Sequence, residues 1–221
     1  MNKSQYTHIL FDLDGTLSDP LEGLANSIIY SCEKFGISDY SADEFRSFIG
    51  PPLHISYKNR FNLSDEDAAR IVRYYREYYE DKGKFENVLY DGITELLADL
   101  KAAGCTLAVS TSKPTHFSAQ ILEHFNIAQY FDVLVGSNLD NTMSDKSDII
   151  AETLRRLSPA SLDTCIMIGD RKFDVIGAHK NGIKCIGVLY GYGSREELTE
   201  NSADQIANDV QSLRNLILRS S

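Results

Sequence analysis

The sequence predicts an α/β protein with a mostly parallel, doubly wound sheet, and three observations carry that expectation. From residue 88 onward, short runs that are apolar on both faces alternate with segments of helical apolar spacing, the pattern of a parallel sheet covered by helices on both sides. A run of the same composition, "HILF" at 8–11, stands near the start of the chain and fits as the first strand of that sheet. Between them, residues 20–86 show helical periodicity with almost no strand signal, which predicts a helical domain inserted after the first strand. The expected division is a core of 1–17 and 88–221 and an inserted helical domain of 18–87.

Each element follows from its local pattern. Within the insertion, "LEGLANSIIYSCEKF", "ADEFRSFI" and "DEDAARIVRYYREYYE" space apolar residues at helical intervals, and "GPPL" (50–53) is a rigid non-helical break between its helices. Tyr74, Tyr75, Tyr78 and Tyr79 make one side of a helix apolar, as core packing requires, although an aromatic binding face has the same spacing. "DGITELLADLKAAG" is a helix that Gly104 ends, and "CTLAVS" is a short buried strand. Pro114 opens a helix through Phe125, and "FDVLVG" is the next strand. A helix from about Lys146 to Leu157, the strand "TCIMIG", a helix from about Lys172 to Asn181 and the strand "KCIGVLY" continue the alternation. "DVQSLRNLILRS" is a last amphipathic helix, with Val210, Leu213, Leu216 and Ile217 on its apolar side.

The totals bound the function. A chain of 221 residues, 43% hydrophobic and 24% charged, can bury a substantial core and has an ordinary soluble globular composition. Its 22 Lys and Arg against 32 Asp and Glu leave a net charge of −10, which argues against a nucleic-acid surface. A small anionic substrate remains compatible, because a few local cations or one metal ion reverse the field inside a cleft. No apolar run approaches the roughly 20 residues of a membrane helix, and the first residues lack the basic-then-apolar pattern of a secretory signal. Cys32, Cys105, Cys165 and Cys185 form no CxxC pair and read as small buried residues. The expectation is a cytoplasmic protein, monomeric or homodimeric, with no nucleic-acid or membrane partner.

In doubly wound sheets, ligands bind beyond the carboxyl ends of the strands. Four such ends carry polar groups here. The first offers Asp12 and Asp14 with Gly15 behind them, and "CTLAVS" runs into Thr111, Ser112 and Lys113. After "FDVLVG" a polar loop leads to Lys146, and "TCIMIG" ends in Asp170, with Asp174 one helical turn on. Residues i and i+2 of an extended segment point to the same side, so Asp12 and Asp14 are expected to face one cavity. Like charges that close repel unless a cation sits among them, and Asp170 adds to the repulsion. Three converging carboxylates suggest a hard divalent ion, and oxygen ligands favour magnesium. A carboxylate can also attack phosphorus, dividing one displacement into two. The transferred group carries charge on three outer oxygens, for which Thr111, nearby backbone N–H groups and Lys146 are suitable neighbours. Each residue alone has a plainer reading. An Asp pair at a strand end makes a turn or cap, Thr111 caps the helix that Pro114 opens, and Lys146 is a solvated helix residue. Lys113, Arg171 and Lys172 read as rim charges, and His54, His116, His124 and His179 share no metal-ligand pattern.

Taken together, "DLDGTLSD", "VSTSKP", Lys146 and "GDRKFD" resemble the four ordered motifs of the haloacid dehalogenase superfamily of phosphohydrolases, over nearly the whole chain. The helical insertion lies where one branch of that superfamily inserts its cap. "IGPPL", "TSKP" and "GDRKFD" look most like the phosphoglycolate phosphatase and 5′-nucleotidase-like branch. The resemblance implies a Rossmann-like core and a magnesium-dependent phosphatase that hydrolyses a small phosphorylated metabolite through an aspartyl-phosphate. On that resemblance Asp12 is the nucleophile and a magnesium ligand. Asp14 ligates through its backbone carbonyl, while its side chain protonates the leaving oxygen and later activates water. Thr111 and the backbone N–H of Ser112 bind the phosphoryl group, and Lys146 neutralises charge on Asp12 and the phosphate. Asp170 completes the metal site, with Asp174 supporting it or holding Lys146. Gly50, Pro51 and Pro52 are the candidate substrate contacts in the cap.

Two departures stand out: Arg171 occupies a place where many relatives carry Ser or Thr, and "KSDII" lacks the proline that many have soon after the lysine. The substrate stays open among phosphoglycolate, 5′-mononucleotides, pyrophosphate and small sugar phosphates. One rival is a sugar-phosphate mutase, which returns the phosphoryl group to substrate instead of water. Another is a signalling receiver domain, which clusters carboxylates, Thr and Lys around magnesium but is near half this length and has no cap.

Overall fold

The structure is a computed structural model that describes residues 3–49, 52–139 and 143–219. It divides into two units, Met1–Ser18 with Leu89–Ser221, and Asp19–Val88. The strands of the main sheet are β1 (His8–Phe11), β2 (Thr106–Pro114), β3 (Val133–Ser137), β4 (Cys165–Gly169), β5 (Lys184–Val188) and β6 (Gln205–Ala207). Helices α1 (Leu21–Phe35), α2 (Leu53–Phe61) and α3 (Asp65–Tyr78) belong to the second unit. Helices α4 (Ile93–Ala102), α5 (Thr115–His124), α6 (Lys146–Leu157), α7 (Lys172–Lys180), α8 (Arg195–Glu200) and α9 (Val210–Ile217) belong to the first.

All pairings in the main sheet are parallel, in the order β3-β2-β1-β4-β5-β6. The strands are apolar on both faces because each face meets a separate layer of helices. Ile9, Phe11, Leu107, Val109, Ile166, Ile168, Ile186 and Val188 pack with residues of α4, α5 and α9. The alternate positions Leu10, Ala108, Cys165, Met167 and Cys185 pack with α6, α7 and α8. The period of two thus sorts each strand between two cores. All four cysteines are free and buried.

Strand order reverses at β1, which lies between β2 and β4, and this is where a doubly wound sheet opens a crevice at its carboxyl edge. Phe11 is level with Val109 on one side and Ile168 on the other. Asp12, Thr111 and Asp170 therefore emerge within one or two residues of the same line.

Several elements differ from expectation. β2 continues beyond Ser110 to Pro114, because its pairing with β3 outlasts its buried run, with an irregularity between Thr111 and Pro114. Pro114 is consequently extended, and α5 starts at Thr115. α8 and the edge strand β6 fall in a stretch where sequence pattern assigns nothing; β6 is only three residues and draws its register from β5. The last helix stops at Ile217, and Leu218–Arg219 pairs antiparallel with Lys3–Ser4.

In the helical unit, "ADEFRSF" forms a 3₁₀ helix at Ala42–Phe48. Leu53 is already helical, so the break before α2 is shorter than "GPPL". Pro52 is extended and exposed, whereas Gly50 and Pro51 lie outside the described residues. Ser64 caps α3 by accepting from the backbone N–H of Asp67, and Asp65, Glu66 and Asp67 place negative charge at its positive end. Tyr75 and Tyr79 are buried and stacked with centroids 5.3 Å apart, which is the packing reading of the tyrosine-rich helix. Tyr57 is fully buried, shares a 2.6 Å hydrogen bond with the Ser31 hydroxyl and meets Phe48 edge to face. Among the described residues no helix is long and apolar enough to cross a membrane.

Candidate active site at the carboxyl edge of the sheet

β1 delivers Asp12, whose backbone N–H donates to Ile168 O at 2.9 Å, continuing the ladder with β4 by one residue. The chain then turns sharply. Gly15 takes φ +81°, Gly15 N–H donates to Ser18 O, and Thr16 N–H donates to Leu13 O. β4 delivers Asp170, and Asp174 lies in the first turn of α7, where its Oδ2 accepts from the Arg171 backbone N–H at 3.1 Å. The carboxylates of Asp12, Asp170 and Asp174 each offer an oxygen within 4.8 Å of the others.

Lys146 opens α6, with Asp145 before it capping the helix. Its ammonium stands 2.9 Å from Asp12 Oδ1 and 2.8 Å from Asp174 Oδ1, and donates to Ser110 O at 3.0 Å. Two contacts hold α6 in that place: Thr153 donates to the Ser110 hydroxyl, and Asn181, at the end of α7, donates to Ser147 O. A group that reads as a solvated helix residue in one dimension is therefore a buried cation, because both neighbouring elements cover it.

Asp14 is apart from the triad. Its Oδ2 pairs at 2.9 Å with the ammonium of Lys113, whose side chain is only 10% exposed. The rim placement expected for Lys113 is corrected: the extension of β2 carries it inward. Thr111 is buried, and its hydroxyl accepts from the Lys113 backbone N–H at 3.3 Å. Ser112 is fixed on both sides, its carbonyl accepting from the Ser137 hydroxyl and its hydroxyl donating to Ser144 O. Arg171 is engaged by Glu197, Nε to Oε1 at 3.0 Å.

The electrostatics follow from burial. Desolvation pushes Asp170 well above the ordinary carboxylate range, and Asp174 and Asp12 push it further. Desolvation likewise raises Asp174, which Lys146 pulls back to about 6. Burial raises Asp14, and the Lys113 ammonium opposes the shift. Burial works against the charge of Lys146, but Asp12 and Asp174 outweigh it and raise its pKa. Three clustered carboxylates thus face one ammonium, an excess of two negative charges when all are ionised. Asp14 Oδ1 has no hydrogen-bond partner among the described residues, and Asp174 Oδ1 faces the Lys146 ammonium at 2.8 Å. Clustered oxygen donors and two surplus buried charges are the chemistry of a site for a hard divalent cation.

Comparison with known proteins places this arrangement. Residues 9–188 match the family of haloacid dehalogenase-like hydrolases. A 5′-nucleotidase from Pseudomonas aeruginosa is 39% identical over 213 residues, covering 96% of each chain. A phosphoglycolate phosphatase from Vibrio vulnificus is 30% identical over 227 residues, covering 99% of each. A tyrosine-protein kinase, PtkA, from Mycobacterium tuberculosis is 36% identical over 200 residues, covering 90% of this chain and 68% of that protein. The crystal structure of a predicted phosphatase from Clostridium acetobutylicum superposes with a TM-score of 0.89 at 49% identity, covering 95% of this chain and 97% of that one. With the matched family spanning both the acidic cluster and the sheet that assembles it, the chain belongs to the haloacid dehalogenase-like hydrolases and is a phosphatase.

Proposed function

We propose that the protein hydrolyses a small phosphomonoester in two steps, using magnesium and an aspartyl-phosphate formed on Asp12. The observation that carries this reading is the buried charge pattern, in which Asp12 shares Lys146 with Asp174 while Asp14 is held apart by its own cation, Lys113. Two adjacent carboxylates in different electrostatic surroundings suit two different roles.

Asp12 attacks phosphorus and the bond to the leaving oxygen breaks. Asp14 protonates that oxygen; burial favours its protonated form, and Oδ1 has no partner among the described residues to compete for the proton. In the second step Asp14 takes a proton from water, which attacks phosphorus and regenerates Asp12. Thr111 and the backbone N–H of Ser112 bind the phosphoryl oxygens, and Lys146 neutralises charge on Asp12 and the transferred group. Asp12, Asp170 and the Asp14 carbonyl would hold magnesium, with Asp174 beside them; when bound, the ion neutralises phosphoryl charge as a Lewis acid. On this proposal the helical unit is the cap that selects the substrate, with Gly50, Pro51 and Pro52 as its candidate contacts.

The names of the relatives favour a mononucleotide or phosphoglycolate as the substrate class. The test is a screen of phosphomonoesters for time-dependent release of inorganic phosphate, with and without magnesium, with Asp12→Asn as control. The expected result is magnesium-dependent release that the substitution abolishes. Release that survives Asp12→Asn, or transfer of phosphate to a second organic acceptor instead of water, overturns the reading. Deleting the helical unit without loss of selectivity would overturn its role alone.

A further inference from the structure

We infer that the turn between β5 and α8, residues 189–194, is a positioning element for the proposed metal ligand Asp170, holding its carboxylate through the backbone N–H of Tyr192. This rests on the magnesium reading above and deepens it.

The turn reaches both strand ends that supply the cluster. Tyr192 N–H donates to Asp170 Oδ2 at 2.8 Å, while the Thr16 hydroxyl lies 3.5 Å from Oδ1, and Asp170 has no exposure to solvent. Gly191 and Gly193 lie where no side chain fits. A Cβ on Gly193 would overlap the Asp170 carbonyl oxygen, and one on Gly191 would overlap the Gly15 carbonyl oxygen and the Asp170 side chain. A Cβ on Gly15 would overlap Asp170 Oδ2 in turn. Gly15 from the start of the chain and the pair Gly191 and Gly193 from near its end thus converge on one residue, Asp170.

Both ends of the turn are tied down. The Tyr190 hydroxyl donates to Thr16 O at 3.1 Å, and its ring meets Tyr90 edge to face. Beyond Gly193, Ser194 caps α8 by accepting from Glu197 N–H. The Glu197 carboxylate accepts from Arg171 Nε and from the Lys172 backbone N–H at 2.9 Å, the two residues after Asp170. Arg171 therefore serves as a tie from the end of β4 to α8. A carboxylate gripped on one oxygen presents the other in a fixed direction. Partners of this kind, behind a metal ligand, typically change metal affinity about tenfold to a hundredfold when lost.

The experiment compares Gly193→Ala and Asp170→Asn with wild type in the full chain stripped of metal. Titration calorimetry gives the magnesium affinity, thermal unfolding in chelator gives the metal-free stability, and phosphate release is followed against magnesium concentration. Gly193→Ala is expected to weaken magnesium binding about tenfold or more, to keep a cooperative metal-free transition, and to recover turnover when magnesium is raised. Unchanged affinity in a folded Gly193→Ala protein overturns the inference and leaves the magnesium reading intact. Should that variant not fold, the amide resonance of Tyr192 in the wild type decides: it is expected to shift in step with magnesium occupancy, and a resonance that does not move overturns the inference. If Asp170→Asn binds magnesium as tightly as wild type, the metal reading itself fails and the inference with it.

Discussion

Replacing Lys146 by methionine keeps the stem of the side chain and deletes its charge. The ammonium lies 2.9 Å from Asp12 and 2.8 Å from Asp174, and its side chain is 5% exposed. At an effective dielectric of about 20, each such pair attracts by roughly 6 kcal/mol before desolvation is counted. Desolvation offsets much of this, and removing one partner of a buried pair costs about 3–5 kcal/mol, because the charge left behind stays buried. Asp170 and Asp174 relieve part of the penalty by taking up protons, which sets the expected loss in metal-free Lys146→Met near the lower end, about 3 kcal/mol. For a chain of this size that is roughly 6–12 °C in the unfolding midpoint. Magnesium replaces the missing charge, so it should raise the variant's midpoint by more than the wild type's, while phosphate release stays abolished. Calorimetric melts in chelator and in magnesium, beside a phosphate-release assay, measure all three. A metal-free variant that melts with wild type, or equal stabilisation of both by magnesium, would refute the idea that Lys146 holds the acidic cluster together.

Metal-free protein should become more stable as the pH falls from about 7 to about 5. Asp174 near 6 and Asp170 well above the ordinary range bind protons more tightly when folded, so the stability from their protonated forms is present at low pH and lost as pH rises through those values. Asp174 alone accounts for about 1 kcal/mol over that window. His8, lowered by burial, opposes the trend as pH falls below its unfolded value, and carboxylates held low, such as Asp132 and Asp204, act only in more acid solution. Melts in chelator whose midpoint falls between those pH values would contradict the sign; saturating magnesium should weaken the trend, because the ion keeps the carboxylates ionised. Asp14→Asn should lose about 10²–10⁴-fold in turnover while retaining magnesium binding, as calorimetry beside rate measurements would show. Lys113→Met removes the cation that opposes the rise in Asp14, so the carboxylate inflection of the pH–rate profile should move upward; an unmoved profile would separate Lys113 from the chemistry. Tyr57→Phe deletes the hydrogen bond with Ser31 inside the helical unit and should cost about 1 kcal/mol in urea unfolding, with turnover unchanged.

Much of the fold was legible because the strands are apolar on both faces and each helix shows its apolar stripe. "HILF", "TCIMIG" and "KCIGVLY" contain β1, β4 and β5, and the helix expected from Lys146 to Leu157 has those ends. The elements that escaped notice are the ones whose stability is borrowed. β6 is three residues long and depends on β5 for its register, and α8 is six residues capped by Ser194. The 189–194 turn showed only two glycines in the sequence, and nothing there says that they lie against Asp170.

The sequence by itself determined the inventory and its order: two carboxylates after the first strand, a hydroxyl pair late in the second, a lysine opening a helix, and an acidic pair after the fourth. Only tertiary structure decided who meets whom. Asp14 takes Lys113, Lys146 is shared by Asp12 and Asp174, and Asp174 joins Asp12 and Asp170 in one cluster. Periodicity reports which face a residue takes on its own strand or helix. The level at which β1, β2 and β4 end beside one another is set by register between segments roughly a hundred or more residues apart, and ion pairs at hydrogen-bonding distance respond to shifts smaller than a single residue step.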